Sequence, residues 1–346
     1  MKKQNILNLI KYHTEGNDDA FRTEALEIAS HFDKTGDYQL AEYVMSLLSM
    51  TNTLVPQLNN HAFKFMKQVD VSMDPLPLPD VIKEDVFGVI NAIGHDVGVS
   101  KFLFEGLPGT GKTATAHQIA RILDRKLFVV DFDTVIDSKL GQTSKNIALM
   151  FEEIQYIPNP HKIIILFDEI DAIALNRINA QDLREMGRAT TSILKGLDSL
   201  SERIVLIAST NLFKSFDKAL VRRFDSVINF NRYTKKDLEL VGESLLNFYL
   251  SKFKFAARNI NLFRKIINTM DPLLYPGELK NLIKTSLAFS SPDNEFDYLK
   301  RLFLSVNANN KNCDIKYMQN LGFTVREIEI LSGVSKSQVS RRLHKN

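Results

Sequence analysis

The sequence has almost no sulfur with which to cross-link itself. Its 346 residues include one cysteine, Cys313, which excludes an internal disulfide framework. No apolar stretch approaches the roughly 20 residues that a helix needs to cross a bilayer. The polar start Met1-Lys2-Lys3-Gln4-Asn5 leads into no signal-peptide apolar region with a cleavage site. These absences point to a reducing cytoplasm and away from membranes. Net charge is scarce as well, only +3 over the chain. Apolar residues make up 44% of the chain, ample for packed cores, and the length suggests about two to three domains.

The segment Gly106-Leu107-Pro108-Gly109-Thr110-Gly111-Lys112-Thr113 is a complete GxxxxGK[ST] pattern. It follows the apolar run Phe102-Leu103-Phe104 and precedes Ala114 to Ile122, so the context predicts a strand, a glycine-rich turn and a helix. In such a turn successive N–H groups converge on phosphate oxygens, helped by the positive end of the helix. Lys112 is placed to reach the β- and γ-phosphates of ATP, and the Thr113 hydroxyl to hold the Mg²⁺ that travels with it.

Further along, Ile163 to Phe167 reads as a strand buried on both faces of a parallel sheet, with carboxylates at its C-terminal end, where α/β sheets bind ligands. Asp168 would sit beside the Mg²⁺, and Glu169 beside the γ-phosphate, where it can orient or deprotonate water. Arg203 to Asn211 is a second buried-strand pattern, which brings Asn211 toward the γ-phosphate or the lytic water. The segment Phe216 to Asp225 carries adjacent arginines, Arg222 and Arg223. Guanidinium forks suit phosphate, and an arginine supplied in trans is worth about 10³ to 10⁵ in turnover. The competing reading pairs them locally with Asp217 or Asp225.

The order of Gly106 to Thr113, Asp168-Glu169-Ile170-Asp171, Ser209-Thr210-Asn211 and Asp217 to Asp225 resembles the AAA family of the AAA+ ATPases, over roughly residues 75 to 290. The resemblance implies an α/β P-loop NTPase core, a parallel sheet flanked by helices, with a small helical lid. It makes Gly106 to Thr113 the Walker A loop, Asp168 and Glu169 the Walker B pair, and Asn211 the sensor-1 residue. Arg222 and Arg223 become fingers entering a neighbouring subunit's site, which implies a homo-oligomer, in the family mostly a hexameric ring or spiral. One departure concerns threading. The stretch Asp137 to Thr143 has Leu140 before its glycine, where substrate-threading members carry an aromatic residue. In the lid, Tyr275 to Asn281 is similar to the sensor-2 region; Lys280 either approaches the phosphates or, the favoured reading, is a solvated helical lysine.

The expected division is an N-terminal helical bundle over 1–50, a linker over 51–80, the large ATPase subdomain over 81–232, the lid over 233–295 and a C-terminal helical region over 296–346. In the bundle, breaks fall at Gly16-Asn17-Asp18 and Thr35-Gly36-Asp37, and Ile6, Leu7, Ile10, Ile28, Ala29, Leu47 and Leu48 recur at helical spacing. It would recruit a protein client or effector, or serve structure and oligomerisation. The linker carries Pro75-Leu76-Pro77-Leu78-Pro79.

Phe323 to Leu343 predicts two short helices around a Ser332-Gly333-Val334 turn, the second capped by Ser335 and packed through Ile328, Leu331, Val334, Val339 and Leu343. This resembles the helix-turn-helix of bacterial regulators and recombinases, which would turn Lys336, Gln338, Arg341 and Arg342 toward duplex DNA. From Lys311 onward seven cations stand against three carboxylates, so the positive excess of the chain is concentrated here. Glu329 departs from that motif, which favours a small residue there, and a helical pair for protein contacts is the competing reading. Besides a non-catalytic nucleotide-gated scaffold, which the intact Glu169, Asn211, Arg222 and Arg223 disfavour, two functions compete: an ATP-driven oligomer that engages DNA, and a protein-remodelling ATPase. The latter is similar to stand-alone bacterial AAA ATPases encoded beside subtilisin-like proteases.

Overall fold

The computed structural model describes residues 3–15, 17–41, 44, 63–71, 77–95, 97–137, 141–171, 183–215, 217–308 and 314–344. Chain contacts separate two units, Met1–Phe63 and Lys64–Asn346. In the first, α1 (Lys3–Thr14) and α2 (Asp18–Lys34) are joined by the predicted break: Asn17 caps α2 by accepting from Ala20 N at 3.1 Å. The Glu24 carboxylate accepts from the Asn5 and Asn8 side chains at 2.7 and 3.0 Å, tying the helices together. Ala25, Ile28 and Ala29 are buried, whereas Ile6, Leu7 and Ile10 remain exposed. Residues 38–41 are helical too; Leu47 and Leu48 lie outside the described residues.

The second unit is built on a six-stranded sheet in the order β1-β3-β4-β5-β2-β6. The strands are β1 (Met66–Val69), β2 (Lys101–Glu105), β3 (Lys126–Val130), β4 (Ile163–Phe167), β5 (Val205–Thr210) and β6 (Ser226–Asn229). β2 to β6 pair in parallel, as expected. All five residues of β4 and all six of β5 are buried, which explains the apolar runs Ile163 to Phe167 and Val205 to Ala208.

β1 corrects the linker reading. It lies inside 51–80 and pairs antiparallel with β3, Met66 opposite Val130. Phe65 and Met66 are buried, and the Glu153 carboxylate accepts from the N–H groups of Lys64 and Phe65 at 2.7 and 3.1 Å. Four residues whose middle pair is charged and polar, Lys67 and Gln68, carry no periodic signal; partners on β3 define the strand. After Pro79, whose carbonyl accepts from Ile82 N and Lys83 N, comes α3 (Asp80–His95).

Flanking helices include α4 (Lys112–Ile122), the short α5 (Phe132–Val135), α6 (Gln142–Gln155), α7 (Leu183–Ser199) and α8 (Lys218–Val221). The loop position Leu140 lies outside the described residues. The lid helices are α9 (Lys235–Lys252), α10 (Ile260–Asn268) and α11 (Pro276–Ala288), and α12 (Asp297–Val306) to α15 (Lys336–His344) follow. One apolar core runs through all of them, from Leu246, Phe263 and Leu279 through Leu299 and Phe303 to Ile328, Leu331 and Val339. The expected boundary at 295 therefore crosses a continuous core. Phe303 meets Phe323 edge to face at 5.5 Å, and Lys265 of α10 donates to Glu327 of α14 (Val325–Ser332) at 2.8 Å.

α14 ends on Gly333 at φ 72°, the turn read from the sequence, and α15 follows. Ser335 takes the expected cap position, its carbonyl accepting from Val339 N at 2.9 Å. Ser335 Oγ meets Ser337 Oγ at 3.3 Å, and Glu329 accepts from Lys336 N at 2.9 Å. The glutamate that departs from the motif thus satisfies the start of the second helix. Among the described residues no helix is long and apolar enough to cross a membrane.

Candidate nucleotide site

β2 ends between β5 and β6, and the glycine-rich loop leaves it at the C-terminal edge of the sheet. Gly106 is needed for space: a Cβ there would stand 2.9 Å from Phe230 Cβ and 3.0 Å from Thr110 Oγ1. The loop is braced from outside. Leu107 N donates to Asn231 Oδ1 at 2.8 Å, and Tyr233 donates its hydroxyl to the Thr110 carbonyl at 2.9 Å. Burial pushes the Tyr233 phenol far above its ordinary range, so it is a permanent donor. Pro108, Gly109, Gly111, Lys112 and Thr113 line a cleft of about 390 Å³ together with Asp168, Glu169 and Asn211. Gly106, Leu107 and Thr110, also read as binding residues, do not line it. Thr110 turns its hydroxyl to the Leu107 carbonyl at 2.8 Å, and the Leu107 side chain faces outward.

Lys112 is buried and donates to Gly106 O at 2.7 Å, Leu107 O at 3.0 Å and Asn211 Oδ1 at 2.8 Å. Loss of water lowers its pKa below the ordinary value, against the attraction of Asp168, Asp171 and Glu169. Beside it the Thr113 hydroxyl donates to Asp168 at 2.9 and 3.1 Å. Two oxygen donors of this kind fit Mg²⁺, which binds through one or two protein groups and keeps water and phosphate oxygens for the rest. Among the described residues no cluster of three or more His, Cys, Asp or Glu could hold a metal by itself. Glu169 adopts φ 53°, a left-handed conformation that costs a side-chain-bearing residue about 1–2 kcal/mol. Its Oε1 accepts from Asn211 Nδ2 at 3.3 Å, and Asn211 N donates to Asp171 at 3.2 Å.

The lid closes the other side. Gly277 N donates to Gly109 O at 2.8 Å, and a Cβ on Gly277 would stand 2.9 Å from Gly109 Cα. Lys280 is half-buried on the cleft, which corrects the solvated-lysine reading. Asn281, at the end of the sensor-2-like stretch, lines the cleft, as do Pro77, Gln118, Arg121 and Leu245, which were missed. Gln118 and Arg121 had a signal, since they follow Ala114 on one face of α4. Pro77 had none.

The arginines lie apart. Neither lines the cleft of its own chain. Arg223 forms a fork with Asp198 of α7 at 3.1 and 3.2 Å and donates to Ala219 O at 3.1 Å. Both aspartates of the competing reading are otherwise engaged: Asp217 accepts from Ala219 N, and Asp225 accepts from Ser100 N and Lys101 N. Arg222 is exposed and makes no ion pair among the described residues.

Residues 102–232 match the family described as ATPase family associated with various cellular activities (AAA). An uncharacterized AAA family ATPase, y4kL, of Sinorhizobium fredii is 41% identical over 133 residues, 38% of this chain and 39% of that protein. Cell division protein C of Sulfolobus acidocaldarius is 32% identical over 47% of this chain and 44% of that protein. The peroxisomal ATPase PEX6 of Kluyveromyces lactis is 30% identical over 46% of this chain and 17% of its own length. The chain thus spans less than half the length of these relatives. A chain in the solved complex of HORMA, CdnC and Trip13 from E. coli MS115-1 shares the fold, with TM-score 0.55 and 18% identity over 71% of this chain and 95% of that one. Residues 102–232 of this chain are an AAA-family ATPase domain.

Proposed function

We propose that the chain binds and hydrolyses ATP with Mg²⁺ in a ring of identical subunits, six by the family pattern, and uses the cycle to remodel or switch a protein partner in the cytoplasm. The observation that carries this reading is the convergence of Lys112, Thr113, Asp168, Glu169 and Asn211 on one cleft that the lid also lines. Lys112 and the loop amides hold the β- and γ-phosphates. Thr113 and Asp168 hold Mg²⁺, which supplies charge neutralisation to the phosphates when bound. Glu169 orients the attacking water and takes its proton, and Asn211 fixes Glu169 and the γ-phosphate. Arg222, exposed and outside its own cleft, completes the site of the next subunit. Arg223 holds that segment against α7 through Asp198. The first unit, with Ile6, Leu7 and Ile10 exposed, recruits the client or effector, a role that a partner such as a subtilisin-like protease would fill.

The test is a mixing experiment. Glu169→Gln protein binds ATP and cleaves it only at a small residual rate, and Arg222→Ala protein lacks the finger. Mixed oligomers recover turnover at sites that combine an intact Glu169 with a neighbour's intact Arg222. No recovery in demonstrably mixed oligomers rejects the trans site.

A second reading adds DNA. It is favoured by the exposure of Lys336, Gln338, Arg341 and Arg342 along α15. Helices that read a major groove carry such residues, and phosphate contacts make affinity fall steeply with salt. Duplex binding at low salt that Arg341→Ala with Arg342→Ala removes supports it; no binding at low salt rejects it.

A further inference from the structure

Ser209 is 1% exposed, at the end of β5 just beyond the last pairing of β5 with β4, Ala208 opposite Phe167. Its hydroxyl has one proton to give and lone pairs to receive. It donates to Asp168 Oδ1 at 2.6 Å and accepts from Glu169 N at 2.9 Å. Its carbonyl accepts from Ile170 N at 3.0 Å. One residue thereby grips three successive residues of the neighbouring strand end: a side chain, then two backbone N–H groups. The middle one, Glu169, is the residue held at φ 53°. A glutamate stays in that region only where its surroundings hold it there.

We infer that Ser209 is a positioning residue for ATP hydrolysis: its hydroxyl fixes the Asp168 carboxylate and, through the Glu169 N–H, holds the left-handed backbone that aims the Glu169 carboxylate. The inference rests on the hydrolase reading proposed above. Short hydrogen bonds from a hydroxyl to a carboxylate are the stronger kind, and the Thr113 hydroxyl shares the same Asp168 oxygen. Asp168 is therefore held from the loop and from β5 at once, while Glu169 receives its backbone restraint from Ser209. Ser209→Ala keeps the carbonyl bond to Ile170 and loses both bonds of the hydroxyl.

The experiment compares Ser209→Ala and Ser209→Thr with wild type for ATP affinity, kcat and melting temperature, and repeats Ser209→Ala in a Glu169→Gln background. Ser209→Ala lowers kcat about 10-fold, the scale on which partners of site residues act, while ATP affinity stays within about twofold. Ser209→Thr restores the hydroxyl and most of the rate. In the Glu169→Gln background the alanine costs clearly less than its roughly 10-fold loss in wild type, because the route through Glu169 is already cut and only that through Asp168 remains. A separate structural lesion would multiply the two losses. Unchanged kcat in Ser209→Ala, multiplicative losses, or a fall in ATP affinity that accounts for the loss of rate overturns the inference. Where the alanine variant melts early, Ser209→Cys, a weak donor of similar size, is read on the same criteria. Wild-type protein that assembles yet cleaves no ATP rejects the hydrolase reading itself, an outcome distinct from an active wild type with an indifferent Ser209→Ala.

Discussion

The side-chain oxygen of Asn211 lies 2.8 Å from the Lys112 ammonium, and the amide nitrogen of the same group lies 3.3 Å from Glu169 Oε1. Lysine can only donate and a carboxylate can only accept, so one orientation of the amide satisfies both neighbours. Asn211 thereby links the residue that meets phosphate to the one that meets water. Asn211→Ala is expected to lower kcat about 10²-fold, as loss of a preorganised donor does, with ATP binding retained. Steady-state turnover beside an equilibrium titration with ATP checks this, and a parallel loss of affinity would contradict it.

Lys112 carries its charge against burial. Its folded pKa lies below the unfolded value of 10.5, so in nucleotide-free protein the charged form costs stability that a neutral side chain would not. Lys112→Met is therefore expected to melt at or above the wild-type temperature without nucleotide. As pH rises through the window below 10.5, wild type loses its proton in the folded state and the gap narrows. Saturating ATP reverses the order: wild type gains about 2.7 kcal/mol at 100 times Kd, and the variant gains nothing. Melting scans with and without ATP and Mg²⁺ read both halves.

The paired arginines separate by environment. Arg223, forked to Asp198 on a partly exposed surface, is expected to contribute about 0.2–1 kcal/mol of stability. Arg222, exposed, is expected to contribute none, yet Arg222→Ala should cut turnover of assembled protein about 10³-fold. Denaturation of each single variant, set against turnover, would expose a reversed assignment.

Much of the site was legible because its chemistry is local in sequence. Eight residues specify the phosphate loop, and the carboxylates follow a strand whose burial on both faces leaves an unmistakable apolar run. What was not legible depends on residues far apart. β1 exists because of β3, some 60 residues later. Arg223 reaches Asp198 rather than the aspartates beside it. Lys280 faces the cleft because Gly277 docks on Gly109, and the shared core of lid and C-terminal helices arises where α12 packs between α11 and α14. Glu329 looked like a misfit in its motif; its carboxylate accepts from the Lys336 N–H only once the turn is folded.

Glu327 gives the pH dependence of that C-terminal attachment. Burial raises its pKa, but hydrogen bonds from Lys265 and from the Thr324 backbone and hydroxyl outweigh it and hold the carboxyl below its usual value of 4.5. A depressed carboxylate contributes stability that is complete above the unfolded pKa and is lost as pH falls through the folded one. Glu327→Gln is expected to lower the melting temperature at neutral pH and to flatten the acid limb below about pH 4.5. Equal acid limbs in both proteins would contradict this.

Gly196 tests how the sheet is covered. On the buried side of α7, its missing side chain makes room for the ring of Phe151 on α6: a Cβ would stand 2.1 to 2.4 Å from three ring atoms. The ring has little freedom to retreat, because it is buried and packs edge-on against Phe167 of β4 at 5.8 Å. Gly196→Ala adds helix propensity, worth about 1 kcal/mol in an open site. Here the overlap dominates, and overpacking of a full core costs about 1–3 kcal/mol. Net destabilisation is expected in a denaturant titration, and Gly196→Ala with Phe151→Leu should recover part of it, since the smaller side chain frees the volume that the methyl needs. Phe167 is followed at once by Asp168 and Glu169, so a shift of α6 that accommodates the methyl should also lower turnover in Gly196→Ala. A variant that is destabilised but keeps its full rate would mean that the packing layer and the carboxylates are mechanically independent.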